Sequence, residues 1–139
     1  MLKGYFQSLQ WSKEKLEDYL LLPAHKESIT QVRRVMDRIV FSYVDKVELM
    51  KRLISCSRRK MTTKEVAYLA YGIQDDMEDD PDFISHKMMI TKTFSCLEYL
   101  YGEDFVVREE KDGTFYWGTP LGKSARNKVN WPAWGSRPF

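Results

Sequence analysis

The pair Asp112-Gly113, set between two short runs of alternating apolar residues, constrains this chain more than any other feature. Both central positions of the tightest hairpin turns need φ > 0, and Asp-Gly reaches that region at low cost. Phe105-Val106-Val107-Arg108 and Thr114-Phe115-Tyr116-Trp117 therefore read as antiparallel strands, joined through Lys111-Asp112-Gly113. An amphipathic run ending in Leu97-Glu98-Tyr99-Leu100-Tyr101-Gly102 leads straight into the first of them.

With 139 residues, the chain supports one compact core and not comfortably two. An apolar content of 43% with 14% aromatics places it among folded proteins. The net charge of +2 neither demands nor excludes a polyanionic partner, so its distribution decides more. Residues 74–82 hold six acids and no base, which leaves +8 on the remainder. The bases gather at Arg33, Arg34, Arg38, Lys51, Arg52, Arg58, Arg59, Lys60 and Lys64. Cys56 and Cys96 have no metal-like spacing to each other or to His25 and His86, so free thiols in a reducing compartment are expected. No apolar run approaches the roughly eighteen residues that span a bilayer, and no cleavable leader is evident. A cytoplasmic protein without cofactor or metal is the expectation.

Along the chain, residues 1–11 are short and mixed, and Ser12 is expected to cap a first helix with Leu16, Tyr19 and Leu20 inward and Pro23 at its close. A second helix is predicted from about Lys26 to Tyr43, with Ile29, Val32, Val35, Met36, Ile39 and Val40 as its apolar stripe. Arg33-Arg34 falls opposite that stripe and reads first as a solvated face. Asp45 is expected to cap a third helix, buried through Val47, Met50, Leu53 and Ile54 and ending in Ser57-Arg58-Arg59-Lys60. Thr62 or Thr63 then caps a compact helix with an early Glu65, Val66 and Leu69 inside, and Gly72 at its end.

The stretch from Gln74 to Asp82 is irregular. Asp75, Asp76, Glu78, Asp79, Asp80 and Asp82 surround Met77, and Pro81 interrupts any helix. No glycine stands at an EF-hand's sixth position and no acid at its twelfth. A solvated loop, an acidic patch for a partner and a metal site remain open. Beyond it, Ser85 is expected to cap the longest helix, reaching Tyr101, with Met89, Ile90, Phe94, Leu97, Leu100 and Tyr101 as core. Its opposite face presents Lys87, Thr91, Lys92 and Ser95.

Residues 45–118 resemble a winged helix-turn-helix domain of the transcriptional-regulator type. The resemblance rests on Thr62-Thr63-Lys64-Glu65-Val66-Ala67, on Ser85 with Thr91-Lys92-Thr93-Phe94 and Leu97-Glu98-Tyr99-Leu100, and on the run from Phe105 to Gly113 as the wing. It implies a mainly α fold with a small β-hairpin wing, preceded by N-terminal helices over residues 1–44 that brace or dimerise. It further implies double-stranded DNA as the partner, with the helix of Ser85–Tyr101 reading the major groove. The implied DNA-binding residues are Ser85, Lys87, Thr91, Lys92 and Ser95, with Lys64 ahead of them and Arg108 and Lys111 in the wing.

Residues 119–139 read as a basic, aromatic tail, in which Trp131, Trp134 and Phe139 either fold back, dock on another molecule or lie along phosphates. A second expectation keeps the fold but gives it a protein partner, held by Asp75, Asp76 and Glu78 of the acidic loop and by Trp131 and Trp134. An enzyme is the weakest reading. The sequence offers no Ser/His/Asp order, no glycine-rich phosphate loop and no metal constellation.

Overall fold

The computed structural model describes residues 2–23, 27–73, 83–121, 129 and 131. In order, these form α1 (Leu2–Lys15), α2 (Val32–Cys56), β1 (Met61–Thr62), α3 (Thr63–Tyr71), α4 (Phe83–Gly102), β2 (Val107–Lys111) and β3 (Thr114–Gly118). The fold is mainly α with one small antiparallel sheet. Two compact units divide the chain, one of Met1–Asp45 with Asn130–Phe139 and one of Lys46–Val129. Among the described residues, no helix is long and apolar enough to cross a membrane.

In the first unit the helix begins ten residues before the expected cap. Leu2, Phe6, Leu9 and Lys13 are all buried, and their spacing of four, three and four is one helical face. Ser12 lies inside the last turn, where its carbonyl accepts from Leu16 N at 2.9 Å. A serine is tolerated within a helix, so the stripe running from residue 2 outweighs the capping signal. Tyr19 and Leu20, expected inside, are 61% and 59% exposed. Leu21 instead bridges to Ile29 through backbone bonds of 3.1 and 2.8 Å, which takes Ile29 out of the following helix.

α2 is a single helix of 25 residues where two were expected. Val40, Val44, Val47, Met50 and Ile54 keep their phase through Asp45, which is exposed mid-helix. With no Gly or Pro near Asp45, nothing interrupts the backbone ladder, and a lone aspartate does not end a helix whose stripe continues. This helix, not α4, is the longest.

The second unit follows its local signals closely. Thr62 is the N-cap of α3: its Oγ1 accepts from Glu65 N at 3.2 Å, while Thr62 N donates to Glu65 Oε2 at 2.8 Å. This reciprocal capping box satisfies two donors that a helix start leaves orphaned. Gly72 ends α3 at φ 66°, a left-handed position that costs glycine little. Val66 and Ala67 face inward, but Leu69 is 60% exposed, contrary to expectation.

α4 begins two residues before Ser85, which therefore lies in its first turn. Thr93, Cys96, Leu97 and Leu100 form its buried side, whereas Tyr101 is exposed. The Thr93 hydroxyl donates to Met89 O at 2.8 Å, so a polar group is buried without an unmet donor. Asp112 (φ 51°) and Gly113 (φ 73°) make the expected turn between β2 and β3. The first strand is registered slightly later than expected, with Arg108 opposite Trp117 and Lys111 opposite Thr114.

A further strand was not anticipated. β1 pairs with β3, Met61 opposite Trp117 and Thr62 opposite Tyr116, giving the sheet order β1-β3-β2. Two residues before a helix leave no alternation to detect. Trp117 has no exposed surface, and its indole N–H donates to Thr63 Oγ1 at 2.9 Å, tying the central strand to the start of α3. The Lys60 stem crosses the end of β3 at Gly118, where an added β-carbon would lie 2.8 Å from Lys60 Cγ.

Candidate nucleic-acid interface

The outward face of α4 has a definite order. Ile84, Met88, Thr91 and Ser95 recur at four, three and four, which places them within an arc of ~60° at about 100° per residue. Lys87 and Lys92 flank that arc on opposite sides. Ile84 is 75% exposed and Met88 55%, while Lys87, Thr91 and Lys92 are exposed and Ser95 half-buried. Thr91 Oγ1 donates to Lys87 O at 2.9 Å and Ser95 Oγ to Thr91 O at 3.2 Å. Neither Lys87 nor Lys92 has an ion-pair partner among the described residues.

The remaining candidates are distributed differently. Ser85 is half-buried in the first turn of α4. Its neighbour His86 sets its ring 6.2 Å from that of Tyr68 on α3. Lys64 places its ammonium 5.0 Å above the Tyr68 ring, and Lys111 is exposed at the end of β2 beside the turn.

Arg108 is engaged within the unit. Its guanidinium lies 4.5 Å from the ring centres of both Tyr101 and Phe115 and 5.9 Å from that of Trp117, and it donates to Glu98. Only 28% of the side chain is exposed. Arginine suits this position because a planar cation stacks on aromatic faces while its edge still bonds a carboxylate. The arrangement clamps β2 and β3 onto α4.

Three other bases of the cluster, Arg59, Lys60 and Lys51, are likewise occupied. Arg59 donates to Glu65 Oε1 at 2.7 Å. That bond, then the Thr62 backbone N–H, lower the Glu65 carboxyl to about 2. Lys60 bonds Glu109 across to β2 and holds that carboxyl below its ordinary range. Lys51 is 4% exposed, lies 5.0 Å over the Phe105 ring and bonds Glu48 at 3.4 Å. Burial pushes the Cys96 thiol up to about 12, so it stays protonated.

In the first unit, Arg33 donates to both carboxylate oxygens of Glu17, and the two line an open groove of about 390 Å³ with Gln31, Arg34 and Asp37. The candidate partner-binding residues Asp75, Asp76, Glu78 and Trp134 lie outside the described residues. Trp131 is half-buried, its ring 6.1 Å from Phe6 in a T-shaped contact. Among the described residues, no group of three or more His, Cys, Asp or Glu could hold a metal ion.

Sequence reasoning missed Ile84 and Met88. A signal existed, since both fall on the same turn positions as Thr91 and Ser95, opposite Leu97 and Leu100.

Neither a family model nor a curated protein matches the chain. Among solved structures it is similar to a beta-lactamase domain protein from Burkholderia ambifaria, with a TM-score of 0.69 and 18% sequence identity. That likeness covers 86% of this chain but 33% of the other, so the chain spans about a third of that protein's length. The similarity is one of fold.

Proposed function

We propose that residues 45–118 form a winged helix-turn-helix module that binds double-stranded DNA, and that the chain serves as a small cytoplasmic transcriptional regulator. In this reading α3 and α4 are the helix pair, α4 reads the major groove, and β2 with β3 forms the wing. The observation that carries it is the outward face of α4, where Lys87 and Lys92 stand exposed without an ion-pair partner among the described residues. Cations in that state release counterions from phosphates on binding, whereas cations already paired gain less. Lys111 and Lys64 extend the contact from the wing and from α3. Arg108 is left out, because its guanidinium is committed to Glu98 and two rings. One such module covers few base pairs, so a homodimer over two half-sites is proposed with it.

Titrating salt against the affinity of the full chain for duplex DNA tests this reading. The expected log–log slope is negative, at about −0.9 for each phosphate neutralised. A slope near zero, or no binding at low salt, overturns it.

One observation favours a second reading, a winged-helix module that binds protein. Leu69, Ile84 and Met88 are large, apolar and more than half exposed on α3 and α4. The similar solved chain is also about two and a half times as long, so a fold of this kind there forms part of a larger body. The acidic residues 74–82 and the aromatic tail would supply further contacts. Salt-independent failure to bind DNA, with a defined complex lost on Leu69→Ser and Met88→Ser substitution, selects this reading.

A further inference from the structure

Resting on the DNA-binding reading, the chemistry of the α4 stripe narrows what the helix recognises. Base edges are most often distinguished by forked donors and acceptors: Arg or Lys on guanine, Asn or Gln on adenine. The stripe Ile84-Met88-Thr91-Ser95 contains none of these. Its two hydroxyls donate back to helix carbonyls, so their protons are already in use. What remains at its centre is the side chains of Ile84 and Met88, 75% and 55% exposed, with the Thr91 methyl. Lys87 and Lys92 border that apolar strip on both sides.

A complementary surface therefore carries methyl groups along its middle and negative charge along both edges. The major groove of T-rich duplex DNA has that form: thymine C5-methyl groups on the floor and phosphates on each rim. We infer that α4 discriminates DNA by packing Ile84, Met88 and Thr91 against C5-methyl groups, with Lys87 and Lys92 on the flanking phosphates. Recognition then follows the pyrimidine C5-methyl rather than the hydrogen-bonding pattern of the pair. A buried methyl-sized group is worth roughly 0.8 kcal/mol, or about fourfold in affinity.

The direct test compares the full chain on duplex poly(dA-dT) and poly(dA-dU), which share phosphates and base pairing and differ in that methyl. A second arm compares poly(dG-dC) with its 5-methylcytosine form. The expected result is a loss of about fourfold or more on removing the thymine methyl, and a gain of similar size on methylating cytosine. The exposed triple variant Ile84→Ala/Met88→Ala/Thr91→Ser, which removes all three apolar contacts, is expected to fold normally and to bind both members of each pair alike.

Salt-dependent binding with no preference for the methylated member in either pair overturns this inference and leaves the DNA-binding reading standing. Absence of binding to all four duplexes at low salt overturns both. Discrimination that survives in the triple variant shows that Ile84, Met88 and Thr91 do not carry it, and also overturns the inference.

Discussion

Two cationic regions of the second unit look alike in sequence and differ in structure. Around the sheet, Arg108, Arg59 and Lys60 each hold an acid: Glu98, Glu65 and Glu109. On the outward face of α4, Lys87 and Lys92 hold none among the described residues. The first group joins elements to one another, β2 to α4 and the segment before α3 to both α3 and β2. The second, on the proposed reading, meets a ligand. Whether a cation serves the fold or a partner depends on which acids and rings the fold brings beside it. Removing a base of the first group should change stability and spare the salt dependence of DNA binding; removing one of the second should do the opposite.

The largest expected effect lies at Arg108. Arg108→Ala removes the cation between Tyr101 and Phe115 and leaves Glu98 without its partner. A loss of about 2 kcal/mol is expected in chemical denaturation, given about 0.5–2 kcal/mol for a cation–π contact and its shielding here. Arg108→Lys should recover only part of this, because an ammonium lacks the planar fork. A stability within error of wild type for Arg108→Ala would break the distinction between the two regions.

Next in size is the cap of α3. Thr62→Ala removes the acceptor for Glu65 N and should cost about 1 kcal/mol, measured by thermal unfolding. The linked acid effect is smaller. Glu65 has its carboxyl lowered from 4.5 to about 2, so its contribution is fully present above the ordinary carboxylate value. It is lost as pH falls from about 4.5 through about 2. In Arg59→Ala the largest cause of that shift is gone, so less stability should be lost on acidification and the loss should be complete at a higher pH than in the wild type. Coincident stability–pH curves for the two proteins between these limits would show that the ion pair contributes nothing. The smallest effect should be at Lys60, whose pair with Glu109 is half exposed on both sides. Lys60→Met, which keeps much of the stem over Gly118, should change stability by less than about 1 kcal/mol.

The same contrast explains how much could be read from the chain alone. The hairpin, the capped α3 and the buried side of α4 were legible because each is written in neighbouring residues: Asp112-Gly113, Thr62 with Glu65, Leu97 with Leu100. β1 was not, since Met61 and Thr62 become a strand only when β3 arrives from more than fifty residues away. The start of α1 and the continuity of α2 were misjudged where Ser12 and Asp45, common capping residues, interrupt no stripe. At the site, Lys87, Thr91 and Lys92 were found on an exposed face as expected from helical spacing. The engagement of Arg108 was hidden, because Tyr101, Phe115 and Glu98 meet it only after the hairpin folds against α4. Ile84 and Met88 were assigned to neither the core nor the outward face.

The decisive measurement is the salt dependence of duplex-DNA binding by the wild-type chain, by Lys87→Ala/Lys92→Ala and by Arg108→Lys, each checked for thermal stability. If Lys87 and Lys92 meet phosphates, the double variant should keep its stability within about 0.5 kcal/mol. Its log–log slope should become less steep by about two, while Arg108→Lys should retain the wild-type slope. An unchanged slope in the lysine double variant, or an equal reduction in Arg108→Lys, would contradict the assignment of α4's outward face to DNA.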